Sequence, residues 1–395
     1  MKGGLSLLLT LMIQMASSAA TLVPPAIAPA VLAALGLDTQ YVGVYISVVF
    51  FAGAISGVYA VSLVRRFGPI RTSQAGLLLS ATGLALMSTL NPWLALLGAY
   101  LVGTGYGPIT PASSDILART APPERYALVF SLKQSGVPLG GAVAGLLAPP
   151  MVVAAGARAA LLEIAALCLV TLVAVQILQA RLDANRDPAA PWPTLTAFLR
   201  PLRFVIAHPT LRVLCICSFV FSMTQHSLGS FMVSWLNTSL AWTLVAAGVA
   251  FSVANTAGIV GRIGWSLIAD RTGSSLPILL GLAVLMLVST SLMIVPDAAT
   301  SHWPILLLLA LFGASAIGWN GVYLAQVAQE VPKAEAATAT AGCLFFTYLG
   351  VVFGPPVFGT IARLSDSLGL AYSLLAVPLV LIIILLARHL RAPAA

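Results

Sequence analysis

Apolar runs of twenty or more residues recur along nearly the whole chain, and no other feature constrains its fold as strongly. A helix of about 20 apolar residues is what crosses the hydrocarbon core of a bilayer. Runs of that kind fall at 5–35, 40–64, 71–90, 93–118, 126–150, 158–181, 211–236, 241–269, 276–295, 303–329, 336–362 and 369–388. Charged or turn-rich connectors separate them. Composition points the same way, since 59% of the 395 residues are hydrophobic and 8% are charged, with a mean hydropathy of +1.02. Soluble domains are roughly 25% charged, so a water-soluble enzyme, a disordered chain and a nucleic-acid binder are excluded. Backbone inside a bilayer must satisfy its own hydrogen bonds. The expected fold class is therefore an all-α membrane protein of twelve transmembrane helices.

The net charge of +8 has a topological explanation. With the N-terminus inside, fifteen Lys and Arg residues fall on the cytoplasmic side: Lys2, Arg65, Arg66, Arg71, Arg119, Arg125, Arg181, Arg186, Arg200, Arg203, Arg212, Arg271, Lys333, Arg388 and Arg391. Arg158 and Arg363 fall outside, and Lys133 and Arg262 lie within spans. This bias predicts a multi-pass protein of the cytoplasmic (inner) membrane with both termini cytoplasmic. The first apolar stretch continues through Pro24 and Pro25 to about Leu35, too long for the core of a signal peptide, and is read as an uncleaved span. Cys168, Cys215, Cys217 and Cys343 sit in apolar runs without metal-ligand spacing and are read as buried thiols.

The longest polar connector divides the chain into an N-terminal bundle of six helices (1–182), a cytoplasmic linker (183–210) and a C-terminal bundle of six (211–395). Within the linker, Leu195 to Ala207 is amphipathic, and two readings are open. It lies on the inner membrane surface with Arg200 and Arg203 toward headgroups, or it is a solvated linker helix. Internal repetition supports the halving. Arg65-Arg66-Phe67-Gly68 after the second span recurs as Asp270-Arg271-Thr272-Gly273 after the eighth, about 205 residues later. Gly136, Pro138, Gly140, Gly141 and Gly145 in the fifth span are matched by Gly350, Gly354, Pro355, Pro356 and Gly359 in the eleventh, about 210 residues later. Two pseudo-symmetric six-helix halves, repeated in parallel, are expected.

On these residues the chain resembles the major facilitator superfamily of secondary transporters over essentially its whole length. The resemblance implies that the acidic and basic residues of the loop signature lock the cytoplasmic side of the outward-open state, which makes Asp270 and Arg271 gating residues. The first copy departs from the pattern, with Arg65 where the family usually has Asp. The lock of the first half is then either weaker or built by Asp115 pairing with Arg65, Arg66 and Arg71. A narrower similarity lies in "GRIGWSLIAD", where Arg262 precedes Asp270 by eight residues. This is similar to oxalate/formate antiporters and monocarboxylate transporters, in which an arginine at that place binds the substrate carboxylate.

Ionisable groups inside a span cost about 2.5–3.5 kcal/mol for Arg or Lys on insertion scales and usually face a cavity or a partner. At 1.5 Å per residue, Arg262 lies roughly 12 Å from the cytoplasmic end marked by Asp270, and Lys133 roughly 12 Å from the end marked by Arg125. The resemblance implies that the fifth and eighth helices face each other, so that both cations point into one central cavity. One reading is an anionic substrate, gripped bidentately by Arg262 and met by Lys133 as a point charge; the other is a fixed acidic partner for each. Because burial beside another cation disfavours the charged form, both a charged and a neutral Lys133 stay open for the empty site. Gln134 adjoins Lys133. The resemblance makes spans one, four, seven and ten the cavity wall, which favours Gln14, Tyr106, Trp319 and Asn320 as wall residues, with Tyr323 one turn further. Interhelical hydrogen bonding or aromatic packing is the alternative for each. His226 is the proton-coupling candidate, against a satisfied core histidine.

The expected function is thus a secondary active transporter of a small organic anion, a carboxylate first, working by alternating access. Proton coupling and anion exchange both stay open. The alternative is a proton-antiporting exporter of drugs or other amphiphiles in the same superfamily. A membrane enzyme acting on lipids would need clustered Asp, His and Glu, where the loops hold isolated acids and His208. No enzyme activity, cofactor, metal or nucleic-acid partner is expected. The expected partners are the substrate anion, the lipid bilayer and, under the coupled reading, protons.

Overall fold

The computed structural model describes residues 2–120, 129, 132–192, 195–332 and 335–391. Arg125, Lys333 and the start of the expected fifth span lie outside the described residues, as do the side chains of Lys2 and Arg200. Among the described residues the structure is helical, with no strand. Its helices are α1 (Lys2–Ala26), α2 (Ala28–Leu35), α3 (Tyr41–Phe67), α4 (Pro69–Met87), α5 (Pro92–Tyr106), α6 (Ile109–Thr120), α7 (Gly136–Ala174), α8 (Gln179–Leu182), α9 (Leu195–Ala207), α10 (Pro209–Ser234), α11 (Leu244–Thr272), α12 (Leu276–Leu292), α13 (His302–Ala316), α14 (Asn320–Gln329), α15 (Ala336–Ser365), α16 (Leu368–Leu374) and α17 (Ala376–Arg391). Among the described residues, eight helical stretches are long and apolar enough to cross a membrane, Tyr41–Phe67 and Leu368–Arg391 among them. The all-α, multi-pass membrane architecture read from the sequence is the one observed.

Several expected spans are interrupted. The first turns at Ile27, just after Pro24-Pro25, because the two prolines place no N–H in the ladder of the last turn of α1. The fourth breaks into α5 and α6 at Gly107 and Pro108, and the tenth into α13 and α14 at residues 317–319. The expected connector between the fifth and sixth spans shrinks to Gly156 within α7, whose φ of +85° and ψ of 172° turn the chain. That conformation is open to glycine at little cost. The amphipathic linker segment is helical over the expected residues, as α9.

Two compact units are formed, Met1–Pro193 with Leu244–Ser252, and Thr194–Thr243 with Val253–Ala395. In the first unit, glycines let helix backbones touch. A Cβ on Gly76 would meet the Gly105 carbonyl at 2.5 Å, and one on Gly83 would meet the Gly98 carbonyl at 2.5 Å. The pairs lie seven residues apart on each helix, which is two turns, so α4 and α5 pack antiparallel along one smooth seam. In the second unit, Gly261, Gly313 and Gly318 do the same for the part of α11 after Ser252 and the α13–α14 pair. A Cβ on Gly261 would fall inside contact distance of the Ala314 carbonyl oxygen, and one on Gly318 would meet Arg262 N at 3.0 Å. This close crossing sets where the Arg262 side chain begins.

Candidate functional site

In the first unit, the polar groups gather where α1, α6 and the start of α7 meet. The side chain of Gln14 is fully buried; its Nε2 donates to Ser18 Oγ at 3.3 Å, and its Oε1 accepts from Thr110 Oγ1 at 3.1 Å. Gly136 makes room for it, since a Cβ there would meet Gln14 Cβ at 2.9 Å. Lys133 has 0% exposure, and its Nζ donates to Gln134 Oε1 at 3.1 Å. Tyr106 closes α5 beside the break, its ring edge-on to Phe50 with centroids 5.7 Å apart. The break matters here. Gly107 and Pro108 end α5 and restart the chain as α6, which brings Thr110 to Gln14. Thr110 and Ser18 are site members that the residue-by-residue reading passed over. The signal available was a second polar residue one turn after Gln14.

In the second unit, Arg262 is 5% exposed, and its Nη2 donates to the Ile317 carbonyl at 3.2 Å. That carbonyl belongs to the turn between α13 and α14, where helix geometry is interrupted and a main-chain oxygen is free to accept a side chain. Ser266 Oγ donates to the Arg262 carbonyl at 2.9 Å, and Trp265 Nε1 to the Ala314 carbonyl at 2.9 Å. Trp319 is buried in the same turn. Its indole Nε1 donates to Gln225 Oε1 at 2.9 Å, and Asn320 Nδ2 approaches the same oxygen at 3.4 Å. Tyr323 is buried with its ring 5.1 Å from that of Trp319, and the Phe221 ring lies edge-on to the indole at 5.5 Å. Arg262, Trp319, Asn320 and Tyr323 thus converge on one turn and the helix that follows it. His226, next to Gln225, donates from Nδ1 to the Ser222 carbonyl at 3.0 Å. This bond fixes the proton on Nδ1 in the neutral ring.

The loop signature behaves differently in its two copies. Asp270 and Arg271 are exposed at the end of α11, followed by Gly273 at φ +68°. In the first unit, Asp115 pairs with Arg119 on its own helix, four residues away. The side chains of Arg66 and Arg71 are engaged elsewhere, and Arg65 is bonded through its backbone. Asp187 N donates to the Arg65 carbonyl at 2.7 Å, and Arg66 Nη1 donates to the Ala190 carbonyl at 2.8 Å beneath the Trp192 ring, 5.0 Å from its centroid. Arg71 Nη1 donates to Gln74 and Gln176. Asp183, 3% exposed, accepts from Ile70 N at 2.8 Å and Arg71 N at 3.1 Å. A carboxylate from the linker thereby caps the first turn of α4, where the local sequence supplies Gly68 and Pro69 instead of a capping side chain. Ser62 Oγ donates to the Pro191 carbonyl at 2.8 Å, and Arg119 Nη2 to the Leu182 carbonyl at 3.1 Å. The segment 182–192 is strapped across the loop signature of its own unit.

The sequence profile of the Major Facilitator Superfamily matches residues 7–355. The chain belongs to that superfamily. An uncharacterized MFS-type transporter of Mycobacterium tuberculosis strain CDC 1551 is 25% identical over 286 residues, which are 71% of this chain and 62% of the relative. One from a second strain of the same organism is 24% identical over the same share of each chain. The aligned part of this superfamily member thus spans about six-tenths of the length of the curated relatives it matches. Among solved structures, a bacterial homologue of the human lysosomal transporter Spinster superposes with a TM-score of 0.75 at 15% identity, covering 100% of this chain and 99% of that one. A POT family transporter in complex with 5-aminolevulinic acid gives 0.79 at 12% identity, covering 97% and 95%. The nucleoside transporter NupG gives 0.75 at 14%, covering 96% and 99%. At these identities the agreement is one of fold, and this superfamily member shares the twelve-helix architecture.

Proposed function

We propose that this protein is a secondary active transporter that moves a small organic anion, a carboxylate first, by alternating access. The observation that carries the reading is the burial of Arg262, whose guanidinium donates to the Ile317 carbonyl of an interrupted helix, in the same turn that carries Trp319 and Asn320. A guanidinium stays protonated wherever it is placed and presents a planar fork that matches a carboxylate. Interrupted helices at corresponding places of two repeats are where transporters of this architecture bind substrate. The breaks after α5 and α13 are such a pair. In this reading Arg262 grips the carboxylate, while Trp319, Asn320 and Tyr323 shape the rest of the site. Lys133, Gln134, Gln14 and Tyr106 form the polar contribution of the first unit. Asp270 and Arg271 gate the cytoplasmic side together with Asp115, Arg65, Arg66 and Arg71, and a proton through His226 or a counter-anion supplies the gradient.

The same proposal places the protein in the cytoplasmic membrane with both termini inside, on the fifteen-to-two bias of basic residues. It includes two six-helix halves, 1–182 and 211–395, joined by 183–210. Export of amphiphiles is the second reading. It is favoured by an apolar pocket of about 360 Å³ in the first unit, walled by Pro24, Leu32, Tyr45, Met87 and Trp93.

The test is the thermal stability of the full chain in detergent against a panel of mono- and dicarboxylates. A ligand present at 100 times its Kd stabilises the native state by about 2.7 kcal/mol. A carboxylate should raise the melting temperature of the native protein, and Arg262→Ala or Lys133→Ala should abolish the shift. Stabilisation by lipophilic cations with none by any acid would overturn the anion reading in favour of the exporter.

A further inference from the structure

A groove of about 380 Å³ lies in the first unit, lined by Arg71, Gln74, Ala75, Leu78, Leu172, Val173 and Gln176. Its two ends differ in chemistry. At one end Arg71 Nη1 donates to Gln74 Oε1 at 3.0 Å and to Gln176 Oε1 at 3.3 Å. Gln74 is 6% exposed, and its Nε2 is tied to the Leu172 carbonyl at 3.1 Å and to Gln176 Oε1 at 2.9 Å. Among the described residues both side-chain bonds from Arg71 use Nη1, which leaves the Nη2 and Nε edge of the fork for a ligand. That edge is the one that meets a phosphate or carboxylate bidentately. At the other end the walls are Ala75, Leu78, Leu172 and Val173, and Leu78 and Val173 stand 52% and 68% exposed on the outside of the unit.

The position along the helices explains the gradient. Arg71 is in the first turn of α4, Gln74 one turn and Leu78 two turns further in, so the groove runs from the interfacial end of a span into its hydrocarbon depth. An occupant must therefore carry an anionic head and an apolar tail, and must reach the groove from the side. We propose that this groove binds an anionic phospholipid of the adjoining leaflet, its phosphate on the free edge of Arg71 and an acyl chain along Leu78 and Val173. Charge complementarity favours this occupant over a zwitterionic lipid. The glutamine clamp fixes the guanidinium before the lipid arrives, so little side-chain freedom is lost on binding. The site is independent of the substrate proposed above.

Native mass spectrometry of the full chain, released from micelles containing equal phosphatidylglycerol and phosphatidylcholine with the same acyl chains, tests the proposal. The native protein should retain phosphatidylglycerol about fivefold over phosphatidylcholine, the size of one arginine contact with an anionic lipid surface. Arg71→Gln should bring that ratio near one, while Arg388→Gln should leave it unchanged. Leu78→Trp keeps the charge and fills the exposed groove; it should lower retention of both lipids. Equal retention by the native protein, an undiminished ratio in Arg71→Gln, or unchanged retention in Leu78→Trp would each overturn the proposal. So would complete displacement of phosphatidylglycerol by millimolar inorganic phosphate, which would reduce the site to one for a free anion.

Discussion

Replacing Asp183 by alanine tests whether the linker holds the first unit together through a single buried carboxylate. The carboxylate accepts from Ile70 N at 2.8 Å, from Arg71 N at 3.1 Å and from Gln179 Nε2 at 3.2 Å. Alanine removes all three acceptor contacts and strands two backbone donors at the start of α4. An orphaned buried donor costs about 1–3 kcal/mol, and losing a helix cap typically costs about 1 kcal/mol. Because Arg71 is partly reached by solvent, the expected loss for Asp183→Ala is about 2–3 kcal/mol. Asp183→Asn keeps one acceptor oxygen and loses the charge at the helix start, a term of about 0.3–1 kcal/mol, and should lie between alanine and the native protein. The assay is thermal unfolding in detergent followed by a thiol-reactive fluorophore, since Cys168, Cys215, Cys217 and Cys343 are all buried and free. A melting temperature for Asp183→Ala indistinguishable from that of the native protein would refute the capping argument. So would an asparagine variant less stable than the alanine one.

Three further outcomes are expected. Gly261→Ala places a methyl group against the Ala314 carbonyl and should destabilise by about 1–3 kcal/mol, as overpacking does, whereas Gly264→Ala, with nothing within 4 Å, should be neutral or slightly stabilising in the same unfolding assay. Trp192→Ala removes the ring over Arg66, an interaction of about 0.5–1 kcal/mol at an exposed site, and should raise the rate of trypsin cleavage after Arg186 several-fold. An unchanged rate would mean that the Trp192 contact does not hold the strap closed. Cysteine labelling of the folded protein with a membrane-permeant maleimide should stay near zero until the chain is unfolded; rapid labelling would contradict the burial of all four thiols.

Much of the fold was legible because bilayer thickness imposes a length on every element. The spans at 40–64 and 241–269 are found as single helices within a few residues of the expected bounds, and the linker helix at 195–207 was visible in its apolar stripe. The breaks were less evident. Pro24-Pro25 and Gly107-Pro108 carry a backbone signal, but the break at 317–319 has no proline. There the Arg262 bond to the Ile317 carbonyl and the close approach at Gly318 accompany the interrupted ladder, and both are tertiary contacts. The site divides in the same way. Arg262 and Lys133 stood out because charge inside an apolar run is costly, whereas Thr110 and Ser18 are ordinary small polar residues until Gln14 is placed between them. The strap could not be read at all, because its acceptors are the carbonyls of Leu182, Ala190 and Pro191, and every residue has a carbonyl. Asp115 likewise had several arginines within plausible reach, and the one it pairs with is the neighbour on its own helix.

The most direct test of the account is uptake of a radiolabelled monocarboxylate into proteoliposomes that contain the purified protein and no nucleotide. The account predicts gradient-driven accumulation by the native protein, falling to the level of protein-free vesicles in Arg262→Gln, with that variant melting within a few degrees of the native protein. Undiminished carboxylate uptake by Arg262→Gln, or transport of lipophilic cations by a native protein that moves no carboxylate, would contradict it.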